Sequence, residues 1–149
     1  MTGQRTAPAR QARARTIAPE SVRASAGPLL LADIDATDGL SGHRRRRGPV
    51  PKLGLDDVLA RLETVDVRGR GGAGFPFLTK LRTAAAGRRR AEIVVNAAEG
   101  EPASAKDTAL VLFAPHRVLD GAVAVAHALG QREITVVVPQ ERAATVEAM

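Results

Sequence analysis

Cysteine, tryptophan and tyrosine are absent from this 149-residue chain, and phenylalanine occurs three times. Without cysteine, no disulfide, thiolate zinc site or cysteine-ligated iron–sulfur cluster can form within it. A redox role would therefore need an organic cofactor. With so few aromatic rings there is little to stack on splayed bases, and neither a zinc-finger nor an RNP-type signature is present, which argues against nucleic-acid binding. No window approaches the roughly 18 apolar residues that span a bilayer, and the N-terminus lacks the apolar stretch of a secretory signal. The expected location is cytoplasmic.

Lysine is missing from the first fifty residues, which instead hold nine arginines against four acids, Glu20, Asp33, Asp35 and Asp38. That end carries +5 of the chain's net +6, and the remainder, thirteen basic against twelve acidic residues, is nearly neutral. The high isoelectric point thus belongs to one end and says little about the folded part. A nucleic-acid-binding role would rest on this arginine-rich end alone. Residues 1–27 have almost no bulky apolar side chain to offset the entropy of ordering, so they read as a disordered tail. Residues 28–54 read as a linker or peripheral segment, in which "SGHRRRRGPVPK" is a solvated charge block.

A folded domain is expected over 55–149. Leu55, Val58, Leu59 and Leu62 build one apolar helical face, and Asp56 and Asp57 suit the positive end of its dipole. "FLTKLRTAAAG" reads as a second helix stopped at Gly87. "EIVVN", residues 92–96, is short and β-branched and reads as a buried strand. Lys106 to Phe113 reads as a helix. Pro115 then restarts a helix whose Val118, Leu119, Ala122, Ala126 and Leu129 share a face before Gly130 ends it. "EITVVVP" is a second strand of the same type, and "QERAATVEAM" opens another helix. Strand, helix and strand at this spacing predict a βαβ unit, hence an α/β fold with a Rossmann-like parallel sheet and flanking helices.

Two stretches carry chemistry. "RGRGGAGFPFLTK", residues 68–80, puts four glycines and two arginines into its first seven positions. Glycine lets backbone approach a ligand closely and permits positive φ. Taken alone the loop reads equally well as a tight structural turn, because a dinucleotide fingerprint follows a strand and this loop follows a helix. In the second stretch, "VVNAAEGEPASAKD", Asn96 ends a strand and Glu99 and Glu101 lie in the following turn, where open α/β sheets place their ligands. Two carboxylates crowded into a turn need donors. Ribose, ribityl or nicotinamide groups would supply them, while the plainer alternative is an exposed acidic turn.

Together, in this order and spacing, the two stretches resemble the flavin- and NADH-binding region of a known family, the 51-kDa, F-type flavoprotein subunits of respiratory NADH dehydrogenase (NADH-quinone oxidoreductase). The similarity runs from about Leu55 to Arg142 and includes "PHRVLDGAVAVAHALG". The C-type subunits of electron-transport complexes have a related loop and turn, but "GEP" here favours the former. The resemblance implies an NADH:acceptor oxidoreductase module that binds FMN and NADH and passes electrons to an iron–sulfur or ferredoxin-type partner. Such a module could belong to a complex peripheral to the membrane.

Carried over by position, Gly69, Arg70, Gly71, Gly72, Ala73 and Gly74 would form the loop against the flavin, with Lys80 reaching its phosphate or ring polar atoms. Phe75 would pack on NADH, and Asn96 and Glu99 would hold the flavin site. Glu101, the one residue assigned to catalysis, would orient the nicotinamide nucleotide. Two departures stand out. Ala98 occupies the position of an acid in "NADEGEP", a loss on the order of 1.5 to 3 kcal/mol for a charge-assisted hydrogen bond. Thr83 stands where an aromatic is common. The family also continues into a ubiquitin-like segment and a four-cysteine cluster domain beyond the equivalent of Met149, so the chain is expected to be truncated relative to it. The alternative function is a non-catalytic scaffold that keeps the fold without the flavin.

The remaining candidates are weaker. His43, His116 and His127 are not grouped with carboxylates at metal-ligand spacing, so no metal is expected. Ser104 and Asp107 lack a histidine partner nearby in sequence. Arg88, Arg89 and Arg90 read as a solvated helix end.

Overall fold

The structure, a computed structural model, describes residues 22, 32, 39–70, 73–87, 90–101 and 104–140. Along these run helices α1 (Gly39–Arg47), α2 (Leu55–Thr64) and α3 (Phe77–Ala86), strand β1 (Ile93–Asn96), helices α4 (Lys106–Phe113) and α5 (Pro115–Ala128), and strand β2 (Ile134–Val137). The strands pair in parallel with Ile93 opposite Ile134 and Asn96 opposite Val137. Ala97 N–H extends the ladder to the Val137 carbonyl at 2.8 Å. The predicted βαβ unit and α/β class are present. The disordered reading of 1–27, apart from buried Val22, and the helix expected over 141–149 lie outside the described residues.

α5 is the centre of this arrangement. It packs on both strands, on α2 and on α4, while α3 reaches it through α2. Its inner face is made of small residues: Ala122 and Ala126 are buried, so the helix axis can come close to its neighbours. The helix starts at a proline, which needs no intrahelical N–H there. It ends in a Schellman motif: Gly130 N–H bonds the His127 carbonyl, Gln131 N–H bonds the Ala126 carbonyl, and Gly130 has φ +65°. Leu81 from α3 and Val111 and Ala114 from the α4–α5 region complete the core.

Three sequence expectations are corrected. The strands are not buried on both faces. Ile93, Val95, Ile134 and Val136 face inward, whereas Val94, Asn96, Thr135 and Val137 are exposed, because among the described residues α5 covers one face. Gly87 ends α3 with extended rather than left-handed geometry, φ −64°. The charge block is helical: it forms most of α1, with Arg44–Arg47 exposed as expected of a solvated block. All four arginines, Arg44–Arg47, fall in its last turn, where cations oppose the negative end of the helix dipole, and Gly48 at φ +76° stops it. α1 docks through His43, whose Nε2 lies 2.6 Å from Asp120 Oδ2 on α5 and whose ring centroid is 5.5 Å from that of His116.

Candidate functional site

The glycine loop closes on itself. After α2 the chain is extended, and Gly69 N–H donates to the Phe75 carbonyl at 2.9 Å while Phe77 N–H donates to the Val67 carbonyl at 2.8 Å. Arg68 and Pro76 thus form an antiparallel bridge at the base of the loop. Arg68 braces it, with Nε on Asp66 Oδ2 at 2.7 Å and Nη1 donating to the Gly74 carbonyl at 3.4 Å. Gly74 has φ +58° with open space around the missing Cβ, so its conformation, and not crowding, calls for glycine. Gly69, by contrast, would meet only ordinary contacts if substituted. Gly71 and Gly72 lie outside the described residues.

Arg70, Ala73 and Phe75 are exposed on this loop, Phe75 at 52%. The chain then enters α3 directly through Pro76. No acid occupies the first turn of α3, and Lys80, one turn in, is exposed with no ionic partner among the described residues. Thr83 lies on the exposed side of the same helix and donates its hydroxyl to the Thr79 carbonyl at 2.9 Å.

The acidic turn lies at the carboxyl end of β1, as expected. Asn96 Oδ1 accepts from Ala98 N–H at 3.1 Å, a local turn that leaves the side-chain NH₂ uncommitted. Glu99 is held from inside the chain: Lys106 Nζ is 2.8 Å from Oε1, and Asp107 N–H donates to Oε2 at 2.9 Å. The Asp107 amide is one of the N–H groups that the start of α4 leaves without an intrahelical partner, so Glu99 caps that helix from upstream. Its side chain is 13% exposed.

Burial would raise the Glu99 pKa, but hydrogen bonds from Lys106, the Asp107 amide and Ser104, with the Lys106 charge, outweigh it and hold the pKa below its ordinary 4.5. Lys106 is pushed the other way, upward, by its hydrogen bonds to Glu99 and then Asp107. The donors that a crowded Glu99 requires are therefore present without a ligand. Glu101 is exposed, and its carbonyl accepts from Ser104 N–H at 2.9 Å.

Among the described residues, no hydrogen bond joins the glycine loop to the acidic turn. The two are tied through α3, α2 and α5. Glu99, Lys106 and Asp107 are brought together, and the last two were missed as site residues from sequence. The signal was available, since a lysine at the head of the next helix is the nearest cation to a turn with two acids. The described residues contain no cluster of three or more histidines, cysteines or acids able to hold a metal, and no single helix among them is long and apolar enough to cross a membrane.

Comparison with known proteins agrees with the motif pattern. The family model for the Nuo51 FMN-binding domain matches residues 62–149. An F-type NADH-quinone oxidoreductase subunit of Rhizobium meliloti (strain 1021) is 32% identical over 136 residues, covering 82% of this chain and 31% of the relative. The F-type subunit of Streptomyces coelicolor is 36% identical over 93 residues, covering 62% and 20%, and that of Mycobacterium bovis 39% over 80, covering 50% and 18%. The chain thus spans a third or less of the length of these relatives. A match that takes in both the glycine loop and the acidic turn, on the parallel α/β scaffold described above, makes this chain a member of the Nuo51 FMN-binding domain family.

Proposed function

We propose that residues 55–149 form the FMN-binding module of an NADH dehydrogenase-type flavoprotein, which takes electrons from NADH and passes them to an iron–sulfur partner in a complex peripheral to the membrane. The observation that carries this reading is the loop's direct entry into α3. Its backbone leads to helix N–H groups that have no intrahelical partner, no acid opposes an anion there, and exposed Lys80 adds a cation. The residues fit the cofactor's chemistry in two further respects. Phe75 presents an exposed ring beside the loop, and Asn96 keeps a free NH₂ at the strand end.

FMN, when bound, supplies the hydride-accepting chemistry, and the protein contributes positioning and electrostatics. In this reading Lys80 and the first turn of α3 hold the phosphate. Gly69, Arg70, Gly71, Gly72, Ala73 and Gly74 bring backbone against the flavin. Phe75 packs on the nicotinamide nucleotide, and Glu101, free of the internal network, orients it. Glu99 acts as a positioning residue that keeps the turn and α4 in register.

Titrating the chain with FMN and following flavin fluorescence tests the site. Saturable binding is expected, weakened about tenfold by Lys80→Ala through loss of a charge-assisted contact. Adding NADH without oxygen should then bleach the flavin absorption band, and Glu101→Gln should slow the bleaching without releasing FMN. One observation favours a second reading, a scaffold that keeps the fold without the flavin: Ala98 offers no carboxylate, and its amide is already bonded to Asn96. Absence of FMN binding would establish that reading instead.

A further inference from the structure

At the opposite end of the sheet from the acidic turn lies a cavity of about 760 Å³. It is lined by the segment before α2, around Lys52, by Val123 and His127 of α5, and by Arg132 and Ile134 at the start of β2. Ile134 is the first residue of β2, so this is the amino-terminal edge of the strands, whereas Asn96 lies at the carboxyl edge. The volume falls within the range of small-molecule sites, roughly 300 to 1,000 Å³.

The lining has one sign of charge. Among the described residues, the two cations Lys52 and Arg132 are in no ion pair and no acid lines the cavity. Asp56 and Asp57 stand in the first turn of α2, close to Gly54, and offset that helix's dipole, so attraction for an anion falls to the two side chains. Glu133 is exposed beside Arg132 and outside the lining. His127 Nδ1 is sealed from solvent and has no hydrogen-bond partner among the described residues. Leu53, Val123, Ala126 and Ile134 make up the apolar part of the lining.

We propose that this cavity binds a small organic anion, a phosphate or carboxylate carried on a short apolar body, at a site separate from that proposed for FMN. Lys52 and Arg132 hold the anionic head at the mouth, and the apolar body lies on Val123 and Ile134. Because both cations stand at the surface, binding weakens with ionic strength.

The test is a nuclear magnetic resonance titration of the full chain with hexyl phosphate, in parallel with hexanoate, inorganic phosphate and 1-hexanol. Hexyl phosphate is expected to shift the amide resonances of Val123, His127, Arg132 and Ile134 saturably, inorganic phosphate to do so more weakly, and hexanol not at all. The hexanoate arm decides whether phosphate or carboxylate is the preferred head. Lys52→Ala combined with Arg132→Gln should weaken the hexyl phosphate response of these four amides about tenfold, as expected for losing charge-assisted contacts. Equal responses to hexyl phosphate and hexanol, or unchanged affinity in the double variant, would overturn the proposal. The readout requires no flavin, so its failure and failure of FMN binding are distinguishable.

Discussion

Glu99 shows how one side chain can determine the behaviour of a turn. Its lowered pKa means that the folded state favours the ionised form, so its contribution to stability is present above the ordinary value of 4.5 and is lost as pH falls through the depressed folded value. Lys106 works in the opposite sense: its pKa is raised, so its contribution is present below the ordinary 10.5 and is lost only as pH rises through the higher folded value. Between those limits the pair is constant. Glu99→Gln should therefore cost about 1 kcal/mol at neutral pH, since a neutral amide still accepts from the Asp107 N–H but loses the ammonium. Urea unfolding at neutral pH and again below pH 4.5 checks this, because the variant's deficit should shrink in acid.

At the scale of elements, the ends of helices decide where the chain turns. Gly130 holds the C-terminus of α5 in the left-handed region, where a Cβ would meet nothing within 4 Å. Gly130→Ala should accordingly cost about 1 kcal/mol from backbone strain alone, with no repacking of neighbours, and thermal unfolding would measure it. α1 is anchored by a buried polar contact. His43 is 6% exposed and meets Asp120, 77 residues away. His43→Ala should raise amide hydrogen exchange across residues 39–47 while leaving α5 protected, since α5 has other partners in α2, α4 and the sheet.

At the scale of the whole molecule, burial among the described residues is concentrated on one side of the sheet. Leu81, 2% exposed, is the largest fully buried side chain among the described residues, and truncating it to alanine should cost about 3 kcal/mol. Val94 and Val137, 54% and 42% exposed on the other side, should tolerate threonine within about 0.5 kcal/mol. Parallel strands are ordinarily covered on both faces, so this exposed valine face is the most unusual feature of the described fold. Denaturant midpoints of the core and surface variants, measured side by side, would show whether the asymmetry in packing is also an asymmetry in energy.

Much of this was readable in the chain before folding. The helical period of Leu55, Val58, Leu59 and Leu62, the Pro115 start and Gly130 stop of α5, and the two β-branched strands all became the expected elements, because each rests on contacts or backbone preferences within a few residues. The two motifs also carried the family. Three features depended on tertiary structure. Alternate burial of Ile93–Asn96 required α5 to lie against one face, α1 required His43 to find Asp120 across 77 residues, and Glu99 was satisfied by Lys106 and Asp107 only once α4 turned its first amides toward it. Local sequence sets which elements form. Which polar groups become partners depends on which helix faces meet, and that follows from packing the whole chain around α5.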